Sequence, residues 1–280
     1  MGKCDARQIQ AIDAALADWR QGDLALEESW FTHIADPREA LTSESAQADG
    51  GMKSIVSEVE GLVVVTQTCD VVRSCAERPF LEVSPLVEVT ETTAHDIYRG
   101  RRPRYAHVPA TVSRRLVADL DRVMTVEKSV AAKWQRTPGW SKDQEARAFA
   151  QALARKRTRF AFPDDFVELV SDLRERILGK HDKKSEEGQA LRDLREIRVR
   201  AVPSWEAEAV ELMFWFIRDA DTTRPETTRW NAYLVAWLDA VPPRGRFTGV
   251  DGVVTTLEDL RAQDYVESDP LDLDYLSPAK

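Results

Sequence analysis

Residues Ile55–Asp70, IVSEVEGLVVVTQTCD, decide the fold. Two apolar runs, Ile55–Val59 and Leu62–Thr66, flank Glu60-Gly61, and a third, Phe80–Val89, follows. The run Leu62–Val65 is apolar on both faces, as a strand buried inside a sheet must be. Phe80, Val83 and Leu86–Val89 predict a long neighbouring strand, with Pro85 marking a bulge or an edge. Tyr105–Val108 and Leu116–Leu120 predict two short strands. Residues 22–125 therefore read as a small, mostly β domain, a barrel or a strongly curved sheet.

Outward from this segment the pattern changes. Ile9, Ile12, Leu16 and Trp19 fall at helical spacing, so residues 6–20 read as an amphipathic helix, the core of an N-terminal helical segment over 1–21, stopped by Gln21-Gly22-Asp23. Leu24–Ile34 predicts a strand, and residues 35–52 a polar surface loop. The middle of the chain, 126–195, predicts helices over 126–135, 141–158, 164–179 and 185–195, with Gly179 as a stop. The segment 180–188 reads as an exposed linker. Beyond it, Glu196–Val202 and Ala209–Ile217 predict strands, Thr227–Ala240 a helix and Gly252–Thr256 a strand. That β-β-α-β order predicts a compact C-terminal unit over 196–280. The fold class is α+β.

The 280 residues carry a net charge of −9, distributed unevenly. Between His95 and Phe160 sixteen Lys/Arg face six Asp/Glu, a local balance of +10. An asymmetry of this kind fits a polyanion site, or two opposite surfaces that pack together. No run approaches the roughly 18 apolar residues that span a bilayer. The N-terminus lacks the apolar core of a signal peptide, and Ala6 stands where a myristoylation signal wants Ser or Thr. Three cysteines form an odd, sparse set that reads as reduced, so a cytoplasmic protein with no membrane contact is expected.

Four features carry candidate chemistry. The first is Thr66-Gln67-Thr68-Cys69-Asp70, placed where a rigid strand ends. Cys69 reads first as a small buried residue, and as a nucleophile if His95 or His107 lies beside it; Asp70 reads as a turn cap or an acid–base group. The second is metal binding by Cys69, Cys75, His95 and His107. Their spacing matches no structural zinc pattern, so no metal and no cofactor is expected. The third is an arginine-rich loop, Arg99, Arg101, Arg102 and Arg104 with Arg114 and Arg115, bracketed by Tyr98 and Tyr105. Guanidinium forks bind phosphates and aromatic rings stack on bases, so this set predicts a nucleic-acid or partner face. Arg155–Arg159 is explained by a helix C-terminus, which favours cations. The fourth is the acidic tail, Glu258–Leu276, with Asp264, Asp269, Asp272 and Asp274. It docks either within the chain, on the basic loop or on its own domain, or on a partner. No phosphate loop, GxGxxG, HExxH, GxSxG or CxxC is present, which disfavours ATPases, dinucleotide enzymes, zincins and ordinary serine hydrolases.

Gly22-Asp23-Leu24, Val63–Thr66 and Leu81–Leu86 together resemble the small β-barrel of the MazF/PemK toxin family. Over 22–90 the chain is also similar to uncharacterised bacterial proteins with a strand ending in Gln-Ser/Thr-Cys-Asp. The resemblance implies an SH3-like barrel and RNA cleavage by a hydroxyl residue, here Thr66, with an arginine for which Arg38 and Arg73 are the candidates. The toxins carry Arg-Pro before that strand; this chain carries Glu60-Gly61. The expectations are thus a non-catalytic interaction protein of a bacterial stress or phage-defence system, binding nucleic acid or a protein encoded nearby. The alternatives are a toxin-like ribonuclease using Thr66 and Asp70, and a hydrolase using Cys69.

Overall fold

A computed structural model describes residues 5–98, 102–158, 160–181, 183–218 and 230–271. It is α+β and divides into two units, Met1–Thr158 and Arg159–Lys280. The boundary splits the helical stretch 126–195 between them.

In the first unit the elements run α1 (Ala6–Leu16), β1 (Leu24–Ala25), β2 (Trp30–Ala35), α2 (Ser43–Ala46), β3 (Lys53–Glu58), β4 (Leu62–Val64), α3 (Thr68–Val71) and β5 (Phe80–Glu88). They continue with α4 (Glu91–Tyr98), β6 (Tyr105–His107), β7 (Leu116–Asp119), β8 (Met124–Glu127), α5 (Lys128–Ala131) and α6 (Asp143–Arg157). The main sheet has the order β1-β4-β5-β7-β6, with β8 also on β5. As its apolar run predicts, β4 is buried on both faces between β1 and β5. Asp5 starts α1 with a reciprocal cap to Gln8, and Leu16 is buried beneath it.

Four expectations for this unit are corrected. No sheet closes among the described residues, so the SH3-like barrel is not shown: β1 and β6 are the ends of the main sheet, and β2 and β3 form a separate two-stranded sheet. Leu24–Ile34 is two strands, because β1 pairs with β4 and β2 with β3. Residues 126–135 are not one helix. Met124 and Val126 alternate into the core as a strand on Phe80–Val83, and only Lys128–Ala131 turns helical. Pro85 sits in the interior of β5, where one side of the strand exchanges β8 (Phe80–Val83) for β7 (Leu86–Glu88). A residue without an N–H fits that gap. The 137–140 loop is pinned on β1 by Leu24–Thr137 backbone bonds, and a Cβ on Gly139 would lie 1.8 Å from the Gly22 carbonyl oxygen. Only glycine fits there.

The second unit contains α7 (Asp164–Leu169), α8 (Ser171–His181), α9 (Glu186–Asp193), β9 (Leu194–Val202), β10 (Val210–Arg218), α10 (Trp230–Leu238), β11 (Phe247–Thr256), α11 (Ala262–Val266) and β12 (Asp269–Pro270). The sheet order is β11-β10-β9-β12. β9 and β10 are antiparallel, and β10 and β11 are parallel, with α10 in the crossover and packed on β11. The order β9-β10-α10-β11 is the β-β-α-β order predicted, in a unit that also holds α7–α9, α11 and β12. Residues 164–179 form two helices, broken at Val170, whose ψ of 5° leaves helical geometry. Gly179 does not stop α8, which runs to His181; its backbone is not left-handed and supplies no cap.

Phe166, Phe214, Phe216 and Trp237 are fully buried at the centre of this second core, with rings 4.8–6.5 Å apart. Phe214→Ala removes the middle of that stack and leaves a cavity. It is expected to lower stability by about 3–5 kcal/mol in urea denaturation; a loss under about 1 kcal/mol would contradict this view of the core.

Candidate functional site

The turn after β4 is built by backbone partners. The Val65 amide bonds to the Glu82 carbonyl at 3.0 Å, and Thr66 Oγ1 accepts the Glu82 amide at 2.6 Å. Gln21 ties its own end of the chain to the turn: its amide donates to Thr68 Oγ1 at 3.1 Å and its Nε2 to the Val65 carbonyl at 2.8 Å. Beneath lies Lys128, 1% exposed, whose Nζ donates to the carbonyls of Asp70 at 2.8 Å and Arg73 at 2.6 Å. Burial pushes this ammonium below the ordinary lysine value, and the charges of Asp13, Cys75 and Asp70 offset part of that. Asp13 is opposed by the same two forces. Burial raises its carboxyl, but the Cys75 amide at 2.8 Å, the Ser74 hydroxyl, the Cys75 thiol and Lys128 outweigh it, and the net is a lowered value.

Thr66, Cys69 and Asp70 thus share one turn, and among the described residues no hydrogen bond or ion pair joins any of them to a histidine. Cys69 is exposed, not buried as its residue type suggests, and its sulfur is 3.8 Å from Gln67 Oε1. His107 lies on β6, three strands and roughly 14 Å from β4. Burial keeps that imidazole below its ordinary value, against the charge of Glu145, and Tyr98 packs edge-on to it at 5.2 Å. The Asp70 carboxylate meets Arg78 at 3.9 Å and is not a turn cap. Arg38 pairs with Asp36 at 2.6 Å, and Arg73 lends its carbonyl to Lys128. The arginine that shares a partner with Thr66 is Arg157, 3.9 Å from the Glu82 carboxylate. Among the described residues no group of three His, Cys, Asp or Glu is placed to hold a metal ion, so Cys69, Cys75, His95 and His107 are not assembled.

The arginine-rich loop is a lattice of ion pairs. Arg99 and Arg101 lie outside the described residues. Arg104 forks onto Asp119 with two 3.2 Å bonds, reaches Asp121 at 3.2 Å and stacks over Tyr105 at 5.1 Å. Arg122 adds a 2.8 Å bond to Asp119, and Lys156 pairs with Asp121. Burial raises the Asp119 carboxyl, but Arg104 and Arg122 outweigh it and hold it below the ordinary carboxylate value. Arg114 pairs with Glu60 at 2.9 Å and Arg115 with Glu88 at 2.6 Å. Arg102 and Tyr98 are exposed. The tail, described as far as Leu271, packs on its own unit. Asp269 pairs in strand register with Val199, while Asp264 and Glu267 face Arg200 at 3.8 and 2.8 Å. Asp272 and Asp274 lie outside the described residues.

A third surface was not read from the sequence. The β2–β3 sheet and its 36–52 connection form an arm. Its inner face buries Phe31, Ile55 and Ser57. His33 Nε2 is buried there without a hydrogen-bond partner among the described residues. Its outer face and tip expose Ile34 at 67%, Leu41 at 98%, Met52 at 76% and Val56 at 65%, four of the six most exposed large apolar side chains described. Ile55 and Ser57 face inward and Val56 and Glu58 outward, an alternation of burial that the sequence Ile-Val-Ser-Glu, two apolar residues followed by two polar ones, does not show. What hides the arm is that its two strands are joined through a long polar segment.

No protein-family model matches the chain, and no curated protein matches it. The Lys128 contact gives a direct test of whether the turn is scaffold. Lys128→Met keeps the apolar stem and removes the ammonium, orphaning two carbonyls. It is expected to cost about 1–3 kcal/mol and to speed amide exchange at Asp70–Val72. Unchanged exchange there would show that the turn does not depend on Lys128.

Proposed function

We propose that this chain is a non-catalytic interaction protein that docks on a protein partner through the arm of β2 and β3. The observation that carries this reading is the exposure of Ile34, Leu41, Met52 and Val56 on that one feature. Clustered apolar side chains on a solvated surface mark interaction sites, whereas isolated ones are ordinary. The ribonuclease and hydrolase readings draw less support. The Thr66 hydroxyl holds the Glu82 amide, and Cys69 has no hydrogen-bond partner beyond Gln67 among the described residues. The nucleic-acid reading competes with internal carboxylates, since Arg104, Arg114 and Arg115 each carry one. A setting in bacterial stress or phage defence, and the closed barrel of the toxins, rest on the resemblance of residues 22–90.

Two multiple variants separate these readings. One replaces Ile34, Leu41, Met52 and Val56 by Ser. The other replaces Arg102, Arg114 and Arg115 by Ala and leaves Arg104, whose loss would strip its two bonds from buried Asp119. The arm variant is expected to lose partner proteins that wild type retains from cell extract, and the arginine variant to keep them, with both melting near wild type. RNA binding that weakens with salt, survives in the arm variant and is lost in the arginine variant would overturn the proposal. So would RNA cleavage by the purified chain.

A further inference from the structure

The arm has an edge as well as a face. The Val59 amide donates to the Ser29 carbonyl at 3.0 Å, which makes this an exchanged pair of the antiparallel ladder. In the register Trp30↔Glu58 to Ala35↔Lys53, exchanged pairs recur at Ser57/Phe31, Ile55/His33 and Lys53/Ala35. The amides and carbonyls of Ser54, Val56 and Glu58 therefore point away from β2. None of these six groups has a hydrogen-bond partner among the described residues. The same alternation turns the Thr32 amide out of the other side of the hairpin, and there it meets Met124 Sδ at 3.4 Å. One edge of the arm lies on β8 and the other is open.

Open edges elsewhere are short or guarded. β1 and β12 have two residues each and β6 has three. β11 has ten, but it carries Gly249, Asp251 and Gly252 along its length. A charge or glycine in mid-strand discourages pairing. β3 has six residues with Ile55 and Val56 at its middle, and its charges stand only at the ends, Lys53 first and Glu58 last. Neither of those two carries an ion pair among the described residues.

Resting on the interaction reading above, we propose that the outer edge of β3 takes up an extended segment of the partner protein as an added antiparallel strand. Main-chain bonds to Ser54, Val56 and Glu58 hold the segment. An apolar residue opposite Val56 joins the face formed with Ile34, which lies diagonally across the hairpin. Antiparallel polarity brings the start of the segment to Glu58 and its end to Lys53. The fitting sequence thus begins with a cation, carries Val or Ile at its middle and ends with a carboxylate.

The test displays a random dodecapeptide library against the full chain and repeats the selection against Val56→Pro and Ser54→Pro. Each substitution deletes one outward amide and leaves every β2 bond in place; circular dichroism checks that the hairpin unit still melts as wild type does. Enriched peptides are expected to share the cation–apolar–carboxylate order and to bind either proline variant at least about tenfold more weakly, a loss near 1.4 kcal/mol. Peptides that bind both proline variants as well as wild type overturn strand addition. If those peptides are still lost when Ile34 and Met52 become Ser, docking by the face stands. If no enriched peptide depends on any of the four positions, both proposals fail.

Discussion

The buried ammonium of Lys128 organises the first unit. It lies at the start of α5, directly after β8, and reaches the carbonyl ends of the turn that follows β4. Asp13 of α1 supplies the largest offsetting charge and holds the Cys75 amide. One side chain thus ties together the N-terminal helix, the turn after β4 and the end of β8. A charge taken out of water needs such partners, and removing either side leaves the other uncompensated. The Thr66–Asp70 turn owes its shape to this arrangement. Its Thr66 and Thr68 hydroxyls accept the Glu82 and Gln21 amides, a scaffold role, while Gln67 and Cys69 stay exposed.

The same economy governs the basic middle of the chain. The excess of cations between His95 and Phe160 is real in composition, yet the structure spreads it over carboxylates: Asp119 and Asp121 for Arg104, Arg122 and Lys156, Glu60 for Arg114, Glu88 for Arg115. The exposed pairs among these, Arg114–Glu60 and Arg115–Glu88, are worth about 0–1 kcal/mol each, so they neutralise the face more than they stabilise it. The acidic tail does not join them as far as it is described. It closes on β9 of its own unit, where Arg198 stacks on Tyr265 at 4.1 Å and Arg200 meets Glu267.

Where the sequence pattern was dense, the fold was legible. The apolar run of β4 announced an interior strand, and the order of β9, β10, α10 and β11 followed from period and length. Legibility failed where a choice depended on distant partners. Nothing local tells Met124–Glu127 to pair with β5 instead of extending α5, or splits Leu24–Ile34 between two sheets. The candidate site suffered most. Cys69 and the arginines were chosen for their chemistry, but their meaning lies in neighbours up to dozens of residues away, such as Glu60 for Arg114. The arm is hidden because its apolar residues are spread over Ile34–Val56, and Ile34 and Val56 share a face only when β2 and β3 pair.

Pairing that brings those residues together also fixes which amides face outward, and the functional account rests on that register. Residue-resolved amide exchange of the full chain tests it directly. Slow exchange at Ile55, Ser57 and Val59, alternating with fast exchange at Ser54, Val56 and Glu58, is the pattern of a hairpin with one open edge. Uniform protection along Lys53–Val59 would mean that the edge is already covered, and uniformly fast exchange that the hairpin does not form; either would contradict the account.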